Sequence, residues 1–464
     1  MNQANTPILE GERLREQLDL LAARAGLHQW DLGASRSTDL SVQVDRGEPK
    51  QMKGAERRAV TVRVWNDQGL VGITSTSDLS PAGLARALEG ARQASAFGNP
   101  EDIPAFSPLA KDPLPSLDQP LSEGWSILDL MARLKGAERD LLSRHGAIST
   151  VPYNGLAQRA SERLYINSDG ALRHQRMSTA SLYLYARAEE AGRKPRSSGA
   201  VRLAHGVDDL DVDGCVAEAA ERTISHLDYA PIATGRYTCV FSPEAFLDLI
   251  GAFSSLFNAR AVLDGVSLSR RDSLGESLAV PFLGITDNAL NPANIGALAF
   301  DGEGTPTAPL TLVEGGVLRH FLHSEATARA FGVAPTGHAG LGAKVSVSPD
   351  WFEIGPTPGG PTGEEGLDRF AVSGRRAGEG PLVVIDSLSA LHAGVKASQG
   401  AFSLPFDGWL VRGGESRSIE SATVAGDIRD VLRNLVGFEG PGKTTPSGLC
   451  PWVWAEGLTI TGDA

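Results

Sequence analysis

The stretch GFEGPGKTT, Gly437 to Thr445, spells the G-x-x-x-x-G-K-T pattern of a phosphate-cradling loop. That chemistry needs a buried strand before the loop and a helix beginning at the Lys-Thr pair, so that loop amides and the helix N-terminus face the phosphates. Here the preceding GDIRDVLRNLV has helical spacing, with Asp427 as cap and Ile428, Leu432 and Leu435 on one face. Pro446 and Pro451 follow, which no long helix tolerates. The pattern therefore reads as a glycine-rich loop leaving a helix, without nucleotide chemistry.

Three other constellations invite chemistry. Asp209, Asp211, Asp213 and Gly214 match the first positions of a calcium loop, but the twelfth position is Ala220 where a bidentate glutamate belongs. Asp213 as a helix N-cap explains the same residues. His320 and His323 in RHFLH would share a metal on a helix; on the strand that the flanking pattern favours, the odd offset sends them to opposite faces. The remaining histidines are scattered and none lies in HExxH, so local spacing assembles no zinc site. No G-x-S-x-G elbow occurs, and Cys450 in GLCPW has no neighbour that would activate a thiolate.

The elements that must position such residues can be read from periodicity. Helices are predicted at about 12–24, from Pro81 after a Ser80 cap, at 125–144 and at 213–226. Alternating runs DLSVQVDRG and AVTVRVW predict strands, with NDQG (66–69) and NSDG (167–170) as turns. Six prolines between 99 and 123 mark an extended crossing. Beyond Arg236 hairpins dominate, with turns in LTLVEGGVLRHF and LVRGGESRS, interrupted by helices at about 243–257 and 426–435. The expected fold class is α+β: an N-terminal α/β domain over 1–230, then a C-terminal domain over 231–464 dominated by antiparallel β-sheet.

Composition narrows the classes. The net charge of −13, without a dense basic cluster, argues against nucleic acid as a partner. Three cysteines without a CxxC pair suit a reducing compartment. No apolar run is long enough to span a membrane, and MNQANTPILEGERL does not read as a signal peptide, so a cytoplasmic location is expected.

Several long phrases resemble the TldD/PmbA (TldE) family, formerly named modulators of DNA gyrase. They include LDGVSLSRRDSLGESLAVP, FDGEGTPTAPLTLVEGGVLRHFLHSEATARAFG, TGHA, SLSALHAGVKASQGAFSLPFDGWLV and TVAGDIRDVLRNLVGF, with VQVDRGEPKQMK and GLVGITSTSDLS nearer the N-terminus. The resemblance implies a cytosolic two-subunit metallopeptidase acting on unfolded peptides. Its TldD subunit carries zinc on HExxxH and a later cysteine, and its TldE/PmbA subunit keeps the fold without those ligands. Aligned without gaps, this chain has Gly251, Ala252 and Leu256 at the His, Glu and His positions, and GFEGPGK lacks the cysteine. The resemblance thus implies a TldE/PmbA-type subunit, with no metal or other cofactor of its own, zinc in a TldD-like catalytic partner, and no catalysis by itself. Phe246, Leu249, Ile250, Phe253, Leu256 and Phe257 form an apolar face that reads as core or as support for the partner contact. Candidates for contact with an extended peptide are Asp301, Glu303, His323, His338 and His392. The rival readings are an independently active metallopeptidase homodimer and a gyrase-associated regulator.

Overall fold

The computed structural model describes residues 10–100, 103–341, 345–357, 381–413 and 415–462. The first nine residues of the stretch read for a signal peptide lie outside them. The chain forms two compact units. The first comprises Met1–Ile224, Ile295–Ala308 and His323–Val347; the second comprises Ser225–Asn294, Pro309–Leu322 and Ser348–Ala464. The expected boundary at 230 lies close to the first crossing, and two later segments return to the first unit.

The first unit is built from the same five-element sequence used twice. A helix α1 (Gly11–Arg24), strands β1 (Gln29–Asp45), β2 (Glu48–Trp65) and β3 (Val71–Thr76), and a helix α2 (Pro81–Ser95) form the first half. The second half is α3 (Ile127–Ser143), β4 (Ile148–Asn167), β5 (Leu172–Ala188), β6 (Arg196–Ala204) and α4 (Val212–Ser225). The strands form one sheet in the order β3-β2-β1-β4-β5-β6, antiparallel throughout. β1 and β4, the equivalent strands of the two halves, meet at its centre, from Asp31 opposite Asn167 to Val42 opposite Leu156.

Period-two alternation explains why the helices lie on one face only. Trp30, Leu32, Val60, Val62 and Val64 bury against α1 and α2 in one core. Val42, Val44, Leu156, Leu182 and Leu184 bury against α3 and α4 in a second. Ser80 and Ser126 cap α2 and α3 by accepting the Gly83 and Asp129 N–H groups. At α4 the expected cap shifts by two residues. Asp211 Oδ1 accepts the Gly214 N–H at 2.9 Å, and Asp213 stands inside the first turn. Between α2 and α3 the described part of the proline-rich crossing contains no helix or strand, as its prolines require.

The second unit holds a 13-stranded sheet, mostly antiparallel. Parallel pairs join Phe352–Pro356 to Gly448–Gly462, Leu382–Leu388 to Gly235–Phe241, and Glu415–Ile419 to Tyr229–Ala230. Both expected hairpins form, at Val313–Leu318 and at Arg412–Glu415. The GFEGPGKTT stretch differs from expectation. It is not a loop but most of a strand, Leu435–Thr445, antiparallel to Gly448–Gly462. Gly437–Glu439 and Lys443–Thr445 pair with that neighbour, with an irregularity between them, and no helix begins at Lys443-Thr444, so the helix N-terminus a phosphate needs is missing. The helix before it is short, Ile428–Arg433, and Asp427 caps it by accepting the Arg429 N–H.

Candidate functional site

Sheet register puts a cation among valines. Arg63 follows Val62 on β2 but faces away from the helices, as do its β1 partner Asp31 and Tyr165 of β4. All three side chains are buried. Arg63 Nε donates to Asp31 Oδ1 at 3.0 Å while Nη2 donates to Oδ2, a two-pronged pairing. Tyr165 donates its hydroxyl to Asp31 Oδ2 at 3.1 Å. The remaining Arg63 nitrogen, Nη1, reaches Glu303 Oε1 at 3.3 Å.

Glu303 belongs to FDGEG, where the sequence reading placed two peptide-binding candidates. Asp301 Oδ1 accepts the N–H groups of Glu303 and Thr305, and Oδ2 accepts that of Ala339. Glu303 Oε2 accepts the Glu325 N–H at 2.8 Å, and Glu325 Oε2 in turn accepts the Ala105 N–H. Both FDGEG carboxylates therefore point inward and organise the chain around them. Gly304, at φ 79°, permits the turn and lies against the Tyr165 ring.

The electrostatics follow from one cation shared by two carboxylates in a dry setting. Burial opposes the Arg63 charge, yet Asp31 and Glu303 more than offset it and raise its pKa. Asp31 holds the two-pronged contact, and Glu303 the single longer one. Burial, with Asp301 and Glu325 nearby, then pushes Glu303 up to about 7 in spite of Arg63. Burial likewise raises Tyr165, reinforced by Asp31.

His323 and His338 meet through one hydroxyl. Thr336 Oγ1 accepts the His323 N–H at 2.7 Å and lies 2.8 Å from His338 Nδ1. His323 Nδ1 is 3.2 Å from Thr327 Oγ1, and its ring meets Phe331 edge-on. Four of the five candidates thus gather in the first unit, all buried. His392 is in the second, exposed on the short helix Leu391–Gly394. His320 is exposed and bonds Thr311 O; neither it nor His323 lies in a strand, so the opposite-face argument does not apply.

Sequence reading missed Asp31, Arg63 and Tyr165. The available signal was slight: Arg63 in AVTVRVW shares its face with Thr61, Ala59 and Trp65, and an arginine between a threonine and a tryptophan reads as an ordinary exposed cation.

In the second unit, α5 (Pro243–Ala252) follows the strand Gly235–Phe241 and is capped by Ser242, which accepts the Ala245 N–H. The expected helix to 257 breaks at Phe253, and a 3₁₀ turn, Ser254–Phe257, continues the chain. Phe246, Leu249 and Ile250 are buried, Phe246 beside Phe241, and Phe253 meets Phe402 edge-on. Asp248, four residues after Glu244, is pushed up to about 6 by partial burial and by that second carboxylate. Burial also raises the Cys239 and Cys450 thiols, leaving them unreactive.

Comparison with known proteins places these units. Family models of the PmbA/TldA metallopeptidase match as domain 1 over residues 30–95, the central domain over 120–227 and the C-terminal domain over 234–462. The chain is 27% identical to the metalloprotease PmbA of Escherichia coli O157:H7, over 99% of this chain and 97% of that one. It shares the fold of TldE from Thermococcus kodakarensis at a TM-score of 0.79, with 18% identity, over 97% of this chain and 99% of that chain. A structure from Thermotoga maritima, described as a candidate modulator of a DNA gyrase, superposes at a TM-score of 0.84 with 25% identity, covering 97% of this chain and 100% of the other. This chain belongs to the PmbA/TldA metallopeptidase family, the TldD/PmbA family its phrases resemble.

Proposed function

We propose that this chain is the TldE/PmbA-type subunit of a two-subunit cytoplasmic metallopeptidase, acting on unfolded peptides with a TldD-like catalytic partner. The observation that carries this reading is the chemistry of α5 and the turn after it. Gly251, Ala252 and Leu256, at the positions where the resemblance expects His, Glu and His, have no donor atom for zinc. Gly251 and Ala252 end α5 while Leu256 lies buried in the 3₁₀ turn, so the three do not share one helix. The segment expected to supply a cysteine is a strand without one, whose Glu439 accepts the Trp454 indole N–H. These residues do not fit the metal, and no catalytic step is assigned to this chain.

The scaffold supports a guiding role. An extended peptide bound by backbone pairing would be held with little regard to its sequence, as a peptidase of unfolded chains requires. Of the five peptide candidates, His392 alone is exposed, which makes it the one most open to such a ligand. Co-expression with a TldD-like protein tests the reading. Joint purification at equal stoichiometry, with peptide hydrolysis in the mixture only, supports it; hydrolysis by this chain alone refutes it.

A further inference from the structure

The face of the six-stranded sheet opposite the helices carries an uncommitted surface. Beyond the end where Asp31, Arg63 and Tyr165 are buried against FDGEG, odd-numbered residues of β1, β2, β4 and β5 share it, in register across the strands: Lys53, Ser41, Ala157 and Ser181 form one row, and Asp39, Arg159 and Thr179 the next. Small side chains at the centre leave a groove of about 310 Å³ between longer ones. Its charged lining is Lys53, Arg57 and Arg159 against the single Asp39. Asp39 pairs with Arg159 and lies 3.8 Å from Arg57, yet Arg57 and Arg159 remain 60% and 48% exposed. The groove is thus locally cationic in a chain of net charge −13.

Further along the same strands the face becomes aromatic. Tyr153 pairs with Tyr185, and Tyr183 with Val201. Tyr153 is 72% exposed and Tyr185 41%, with Val201 and Leu203 beside them at 37% and 41%. Two glycines hold the rings down. A Cβ at Gly155 would lie 2.5 Å from the Tyr183 ring, and one at Gly199 2.6 Å from the Tyr185 ring. Gln43 Nε2 donates to the Tyr183 hydroxyl at 2.8 Å and fixes that ring. The result is an aromatic patch next to a cationic groove, with Tyr183 and Tyr185 held in place, and side chains already ordered cost little entropy when they bind.

We propose that this face binds an extended, acidic polypeptide segment, with carboxylates in the groove and apolar side chains on the tyrosines. Arg159 and Tyr153 are six positions apart on β4, so a strand-like segment spanning both would be about six to eight residues long at roughly 3.3 Å each. The complementarity is one of charge: two uncompensated cations in the groove select carboxylates and exclude lysine-rich chains. This inference stands apart from the subunit reading, since it uses neither zinc nor a second subunit.

The test is fluorescence anisotropy on the full chain alone, with a fluorescein-labelled peptide alternating glutamate with leucine and phenylalanine. A counterpart with lysine for glutamate is the control. The acidic peptide is expected to bind, more weakly as salt rises, and the basic one not to bind. Lys53→Glu with Arg57→Glu is expected to weaken binding by roughly fivefold or more and to flatten the salt dependence. Tyr153→Ser with Tyr185→Ser is expected to weaken it comparably while keeping the salt dependence. All four residues are exposed, and an unchanged thermal midpoint confirms folding of both variants. Equal binding of the two peptides, or wild-type affinity in either folded variant, would overturn the proposal.

Discussion

Arg63 and Glu303, 240 residues apart in sequence, meet at 3.3 Å inside the first unit with both side chains fully buried. The contact ties the FDGEG segment to the central sheet, because Arg63 is already anchored on Asp31 two strands from the edge. A buried ion cluster is weak evidence of net stabilisation, but removing one member strands the others.

Replacing the cation should therefore be severe. Arg63→Met leaves Asp31 and Glu303 buried without their partner and is expected to cost about 3–5 kcal/mol in urea unfolding. Adding Asp31→Asn and Glu303→Gln should recover part of that loss, since no uncompensated charge then remains. A triple variant no more stable than Arg63→Met would contradict the ledger of charges described above.

Glu303 also predicts a pH signature. Its pKa is raised to about 7 in the folded chain, against an ordinary value of 4.5. Between those limits the folded state holds a proton that the unfolded state has released, so this group's contribution to stability falls as pH rises from 4.5 through 7. Glu303→Gln should remove that fall, on the order of 2–3 kcal/mol. Unfolding midpoints compared at pH 5 and pH 8 check it: the wild type should lose more on going to pH 8 than the variant does.

Gly72 offers a packing test. A Cβ there would stand 1.9 Å from Ala91 O and 2.3 Å from Ser95 N, both backbone atoms of α2. Neither can swing aside as a side chain could, so Gly72→Ala is expected to cost about 1–3 kcal/mol by pushing α2 off β3. Wild-type thermal stability in this variant would show that the helix is not seated so closely.

Much of the first unit was legible because alternation and capping are local. VTVRV and DLSVQV name their buried faces by period, and Ser80 followed by Pro81 names a helix start. The internal repeat was not legible: its halves share a topology that residue spacing does not display. Glu303 illustrates the limit for the site. Two carboxylates around Gly302 look like a solvent-facing turn, and only partners distant in sequence, Arg63 for Glu303 and Ala339 for Asp301, show that they turn inward. GFEGPGKTT failed for a related reason, since its partner strand Gly448–Gly462 decides between loop and strand.

Phe246 separates scaffold from chemistry in the second unit. It is fully buried against Phe241, and Phe246→Ala is expected to cost about 3–5 kcal/mol in denaturant unfolding. Gly251→Ala, at an exposed position with open space where the added Cβ would stand, should leave stability within about 0.5 kcal/mol of wild type or raise it. A large loss at Gly251 would mean that the end of α5 carries a constraint beyond packing.

The most direct test of the subunit reading is zinc content and hydrolysis of an unfolded protein, measured on this chain alone, on a TldD-like subunit alone and on their equimolar mixture. The account predicts no stoichiometric zinc in this chain, no hydrolysis by it, and full activity in the mixture. One zinc per chain in the isolated protein, with hydrolysis that a chelator abolishes, would contradict it.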